Sequence, residues 1–96
     1  MPLFALLAID APGALPRRLE HYSAHRSFLE NAGLFRLSLV VAGPLQTDDG
    51  AEMTGSLLIV DAPDRAAVDA FVAADPFTTE GVWGTVHVSR FHKRPS

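Results

Sequence analysis

His25 follows Tyr22 by three residues and precedes Leu29 by four, so in a helix its imidazole falls in the same stripe as those apolar side chains. An inward histidine reads in two ways. It can be a core residue satisfied by a backbone carbonyl, or a general base, because imidazole gains and loses a proton near neutrality. Asp75 comes four residues after Phe71 and three after Val72, which continues the inward stripe of a second helix. A carboxylate at a helix C-terminus is opposed by the helix dipole and by burial unless a donor meets it. A histidine supplies such a donor. The Asp75-Pro76 pair also reads as the N-cap and first residue of a new turn through Phe77-Thr78-Thr79. One oxygen is then expected to cap while the other meets the imidazole. In a His25–Asp75 pair the aspartate would orient the ring and stabilise the imidazolium formed when His25 takes a proton.

No third residue completes a nucleophilic triad. Ser56 is a lone hydroxyl at the start of an apolar run, read as a ligand-binding or edge hydroxyl in preference to a nucleophile. Arg26 lies toward the Leu15 and Leu19 side of its helix, where it either clamps a substrate carboxylate or phenolate or pairs with a surface acid. His21 and His25 are spaced i, i+4, but Tyr22 stands where the zinc-protease signature needs a glutamate, so no metal site is expected. Trp83 and Phe77 read as packing residues, and no Gly-rich segment resembles a phosphate loop.

The elements that must hold these groups follow from periodicity. Leu3 to Ile9 is a short apolar strand closed by Asp10-Ala11-Pro12-Gly13. From Pro16 the period becomes helical, with Leu15, Leu19, Tyr22, Phe28, Leu29 and Ala32 inward and Gly33 as the stop. Leu34 to Ala42 reads as a second strand ending at Gly43-Pro44, Leu45 to Thr54 as a polar loop, and Gly55 to Val60 as a third strand. Asp61 and Pro63 introduce a second helix with Ala67, Val68, Phe71 and Val72 inward. Val82 to Phe91 is the fourth strand, and 93–96 a frayed tail. The order β-α-β-β-α-β is that of an α+β ferredoxin-like sandwich. Leu57 and Ile59 point away from Leu58 and Val60, so the sheet is apolar on both faces while two helices cover one. The other face is expected to meet a second copy, giving a homodimer through sheet faces.

Ninety-six residues suit one domain, 1–96, with a thin core. Eight Lys+Arg against eleven Asp+Glu, a net charge of −3, give no electrostatic reason to bind nucleic acid or anionic lipid. The apolar run at Leu3 to Ile9 is too short to span a bilayer, and the first basic residue is Arg17, so neither a membrane segment nor a signal peptide is expected. The absence of cysteine excludes disulfides and Cys-ligated clusters and fits a cytoplasmic protein.

Tyr22-Ser23-Ala24-His25, Ala42-Gly43-Pro44, Thr54-Gly55-Ser56 and Ala74-Asp75-Pro76-Phe77 followed by Gly81-Val82, in that order, resemble the YCII-related proteins. The resemblance implies a dimeric α+β barrel and a site built on a His-Asp pair, mapping to His25 and Asp75, with Ser56, Gly43 and Pro44 as pocket positions. Phe77, taken with Ser56, Arg26, Gly43 and Pro44 as a substrate-binding position, stands where the family often has tyrosine, and Ser89-Arg90-Phe91-His92-Lys93 only approximates the family's ending. The reading that results is a cofactor-independent enzyme using His25 and Asp75 for elimination or hydrolysis of a small, aromatic or carbonyl-containing metabolite. A non-catalytic ligand-binding or regulatory module is the alternative, and a small antibiotic-biosynthesis-type monooxygenase a weaker one.

Overall fold

The computed structural model describes residues 1–95; Ser96, part of the expected frayed tail, lies outside the described residues. Strands β1 (Leu3–Asp10), β2 (Ser38–Gln46), β3 (Met53–Asp61) and β4 (Trp83–Phe91) form one antiparallel sheet in the order β2-β3-β1-β4. Helices α1 (Leu15–Glu30) and α2 (Arg65–Ala74) and the one-turn α3 (Pro76–Thr79) complete the β-α-β-β-α-β order. No described helix is long and apolar enough to cross a membrane.

Alternation along β1 and β3 builds the core. Phe4, Leu6 and Ala8 are buried with Leu58 and Val60 under the helices, while Leu7, Ile9 and Leu57 stand exposed on the opposite face. The register pairs Leu6 with Leu58 and Leu7 with Leu57, so each face is continuous across strands. From α2, Ala67, Val68 and Phe71 complete the core as expected, and Val72 packs at its margin. Each large side chain fully buried here contributes about 1.5–3 kcal/mol.

Two elements differ from the sequence reading. The second strand begins at Ser38, not Leu34, because Ala32–Phe35 close into a 3₁₀ turn and Arg36 takes a left-handed conformation at φ 65°. The Leu37 N–H then bonds the Ala32 carbonyl at 3.2 Å, which the extended backbone of a strand would forbid. Gly43 and Pro44 consequently lie within β2 and not in a turn after it. Proline is tolerated there because β2 is an edge strand that pairs only with β3. The expected loop over Leu45 to Thr54 shrinks accordingly to residues 47–52, where Asp49 accepts hydrogen bonds from the Thr47 hydroxyl and the Ala51 N–H.

The second difference lies in α1. Its inward line runs through Ala14, Arg18, His25 and Ala32, all buried, whereas Leu19 is 59% exposed and Tyr22 is also on the outside. Each residue advances the helix by a quarter turn or more, so the Leu15, Leu19, Tyr22 row sits one position round from the buried line. The helix therefore presents Arg18 and His25 to the sheet in place of Leu19 and Tyr22, while Phe28 and Leu29 of its last turn pack against the core as expected.

Candidate active site

His25, two turns beyond Arg18 on the inward line of α1, meets Asp75 at the junction of α2 and α3. Nδ1 lies 2.8 Å from Asp75 Oδ1, with His25 6% and Asp75 0% exposed. The junction itself explains the position of the carboxylate. Asp75 ends α2 in an extended conformation and caps α3, accepting the Phe77 N–H at 2.9 Å, and Pro76 opens the new turn. Capping and histidine contact therefore coexist, but through one oxygen: Oδ1 takes both, and Oδ2 is buried with no partner among the described residues. A carboxylate can only accept, so its pairing with the imidazole takes the tautomer in which Nδ1 carries the ring proton. Nε2 is the nitrogen left for chemistry.

The ring is held on its faces as well. Phe77 stacks on it at 3.9 Å between centroids with planes 7° apart, and Trp83 meets it edge-on at 5.7 Å. Phe77 thus lies behind the imidazole, fully buried, and does not line the cavity that His25 faces. That cavity has a volume of about 170 Å³, comparable to engineered cavities of roughly 150 Å³ that take up benzene. It is sized for a single ring.

Ser56, 2% exposed, lies in the cavity wall. Its strand neighbour Pro44 sits opposite it in the β2–β3 register, and Gly43 lines the same wall. Gly55 is required just before it, since a Cβ there would collide with the Ala8 carbonyl of β1. Arg26 and Tyr22 form the exposed rim, the Arg26 guanidinium 5.8 Å from the Tyr22 ring centroid. Leu29 and Leu58 supply apolar wall. The cavity thus gathers His25, Ser56, Arg26, Gly43 and Pro44, with Asp75 and Phe77 behind the histidine. His21, by contrast, turns toward Glu20 and Glu80 at 3.8 and 3.9 Å.

The residue that sequence reasoning missed is Arg18. It is 1% exposed and forms a two-point pair with Asp10, Nε to Oδ2 at 2.7 Å and Nη2 to Oδ1 at 3.0 Å. Nη2 also donates to Ser56 Oγ at 2.8 Å, and the guanidinium lies 4.7 Å from the centroid of the Phe77 ring. Trp83 Nε1 adds a second hydrogen bond to Ser56 Oγ at 3.2 Å. One signal was present: Arg18 precedes His25 by seven residues, two helical turns, so a buried His25 implies a buried Arg18.

A family model described as the YCII-related domain matches residues 2–92 of the chain. Protein YciI of Escherichia coli O6:H1 is 31% identical over 99 residues, which cover 95% of this chain and 97% of the relative. Among solved structures, 5-chloro-2-hydroxyhydroquinone dehydrochlorinase (TftG) from Burkholderia phenoliruptrix AC1100, in complex with 2,5-dihydroxybenzoquinone, superposes with a TM-score of 0.83 at 35% identity, over 94% of this chain and 93% of that one. An antibiotic biosynthesis monooxygenase has a TM-score of 0.56 at 19% identity, over 99% of this chain and 100% of the other, a likeness of fold alone.

Proposed function

The chain belongs to the YCII-related domain family, and from that membership we propose that it is a small-molecule enzyme in which His25 accepts and returns a proton while Asp75 holds the imidazole. One observation carries the reading: a ring nitrogen with its partner nitrogen anchored on a buried carboxylate 2.8 Å away faces a cavity the size of one aromatic ring. An anchored imidazole of fixed tautomer is ready to take a proton at Nε2 without reorganising. The dehydrochlorinase similarity favours elimination over hydrolysis. Loss of hydrogen chloride needs no external oxidant. In the keto tautomer of a chlorinated hydroxylated ring, Nε2 takes the hydroxyl proton, the freed electron pair becomes a carbonyl, and the displaced ring electrons expel chloride.

The assay is chloride release from 5-chloro-2-hydroxyhydroquinone under anaerobic conditions. Release is expected from the natural chain. Tight binding of 2,5-dihydroxybenzoquinone with no chloride released from the chlorinated ring would instead identify a binding module.

The exposed apolar face of the sheet supports a homodimer as part of the same proposal. Leu7, Ile9, Val41, Leu57 and Phe91 are all exposed on one face of the sheet, a grouping of large apolar side chains of the kind that marks interaction surfaces. A second copy using the same face would cover it by an isologous contact. Equilibrium sedimentation at micromolar concentration is expected to return twice the 10.3 kDa chain mass; a monomer there removes the dimer.

A further inference from the structure

Ser56 sits at the centre of a network that limits what its hydroxyl can still do. Arg18 Nη2–H donates to Oγ at 2.8 Å and Trp83 Nε1–H donates to the same atom at 3.2 Å. A guanidinium and an indole N–H can only donate, and a hydroxyl offers two lone pairs and one hydrogen. Neither donor is free to turn away, because Arg18 is clamped on Asp10 and both side chains are buried. With both lone pairs engaged, the remaining capacity of Ser56 is its own O–H, at the wall of the cavity. We infer that Ser56 is a donor-only contact that selects single-ring ligands presenting an oxygen acceptor, a phenolate, enolate or carbonyl.

The same occupancy removes Ser56 as a nucleophile, since a lone pair held by Arg18 or Trp83 is not available to attack carbon. Donation from a cationic guanidinium polarises the hydroxyl and strengthens what it gives in turn. A bound ring would then place an acidic group at His25 Nε2 and an acceptor oxygen at Ser56. The inference shares its cavity with the acid–base reading and rests on that reading for the position of the ligand, yet its test requires no turnover.

Pentafluorophenolate and pentafluorobenzene are matched probes that differ in one ionised oxygen, and fluorine NMR follows the binding of each. The natural chain is expected to prefer the phenolate, and Ser56→Ala to reduce the ratio of the two affinities by about ten- to a hundredfold, the range for a hydrogen bond to a charged group. Since Ser56→Ala strips a partner from two buried donors, a measurement on the unaltered chain stands beside it. Trp83 is the sole tryptophan, so one indole N–H resonance reports on Ser56. As the hydroxyl donates to phenolate its oxygen becomes a better acceptor, and that resonance is expected to move downfield with pentafluorophenolate and not with pentafluorobenzene. His25→Gln should lower turnover about 10²- to 10⁴-fold and keep the affinity ratio, which separates failure of this inference from failure of the acid–base reading. A ratio unchanged in Ser56→Ala, a ratio lost in Arg26→Gln or His25→Gln but kept in Ser56→Ala, or an indole resonance indifferent to the phenolate overturns the inference.

Discussion

His25→Gln is expected to lower turnover about 10²- to 10⁴-fold, the usual contribution of a positioned general base, while circular dichroism and the denaturation midpoint stay close to those of the natural chain. Glutamine keeps a donor that can reach Asp75 but has no nitrogen able to accept a proton on the cavity side. The companion substitution Asp75→Asn tests the partner by a different route. Asparagine caps helices about as well as aspartate, so the Phe77 N–H keeps its acceptor and α3 its start. Both contacts run through the one oxygen, so an amide that keeps its carbonyl there still accepts from the Phe77 N–H and from Nδ1–H and removes only the negative charge. Loss of activity in Asp75→Asn without loss of stability therefore identifies stabilisation of the imidazolium by the negative charge as the carboxylate's role. Full activity in His25→Gln would end the acid–base proposal.

Arg18→Met is expected to destabilise the fold by about 3–5 kcal/mol, the cost of breaking a buried ion pair by removing one partner. The pair is well shielded, with the Arg18 side chain 2% and the Asp10 side chain 8% exposed. Methionine fills much of the same space, so the loss comes mainly from leaving the Asp10 carboxylate buried and unpaired. Small domains have only about 5–15 kcal/mol in total, which makes this a large fraction. The double variant Arg18→Met with Asp10→Leu should recover most of the loss, because apolar replacement of a whole buried pair is often neutral or favourable. Urea denaturation of the two variants measures both quantities. A single-variant loss under about 1 kcal/mol would place the pair among weakly contributing surface bridges.

The residues that the sequence made legible are those whose pattern and environment agree. In β1 alternation and burial coincide, and in α2 the Ala67, Val68, Phe71 stripe is the buried one, so periodicity alone located both. The His25–Asp75 contact was legible because Asp75 broke the apolar stripe of the second helix, and such a break calls for a partner, and because the family resemblance implied a His-Asp pair at these two positions. In α1 the pattern and the environment disagree. Leu15 and Leu19 lie one row away from the buried line, and the line itself holds Arg18, whose burial depends on Asp10 arriving from the end of β1. That compensation is tertiary and leaves no local trace. The start of β2 was hidden for a related reason: Leu34 and Phe35 have strand-like side chains, but the left-handed backbone at Arg36 is decided by the 3₁₀ turn before it. Which Asp75 oxygen meets which donor was likewise beyond reach, since it depends on the angle at which α3 leaves α2.

The guanidinium of Arg18 is matched by Asp10, so among the described residues the guanidinium left without an acidic partner at the cavity is that of Arg26, out at the rim. Surface replacements typically alter folding free energy by no more than about 0.5 kcal/mol. Exchange of that one charge is therefore expected to leave the fold and the buried His25–Asp75 contact undisturbed and to alter the long-range attraction of anions to the cavity mouth. Charge at the mouth and hydrogen bonding at the buried wall are thus separable, the first adjustable at a solvent-facing position at no cost to the second.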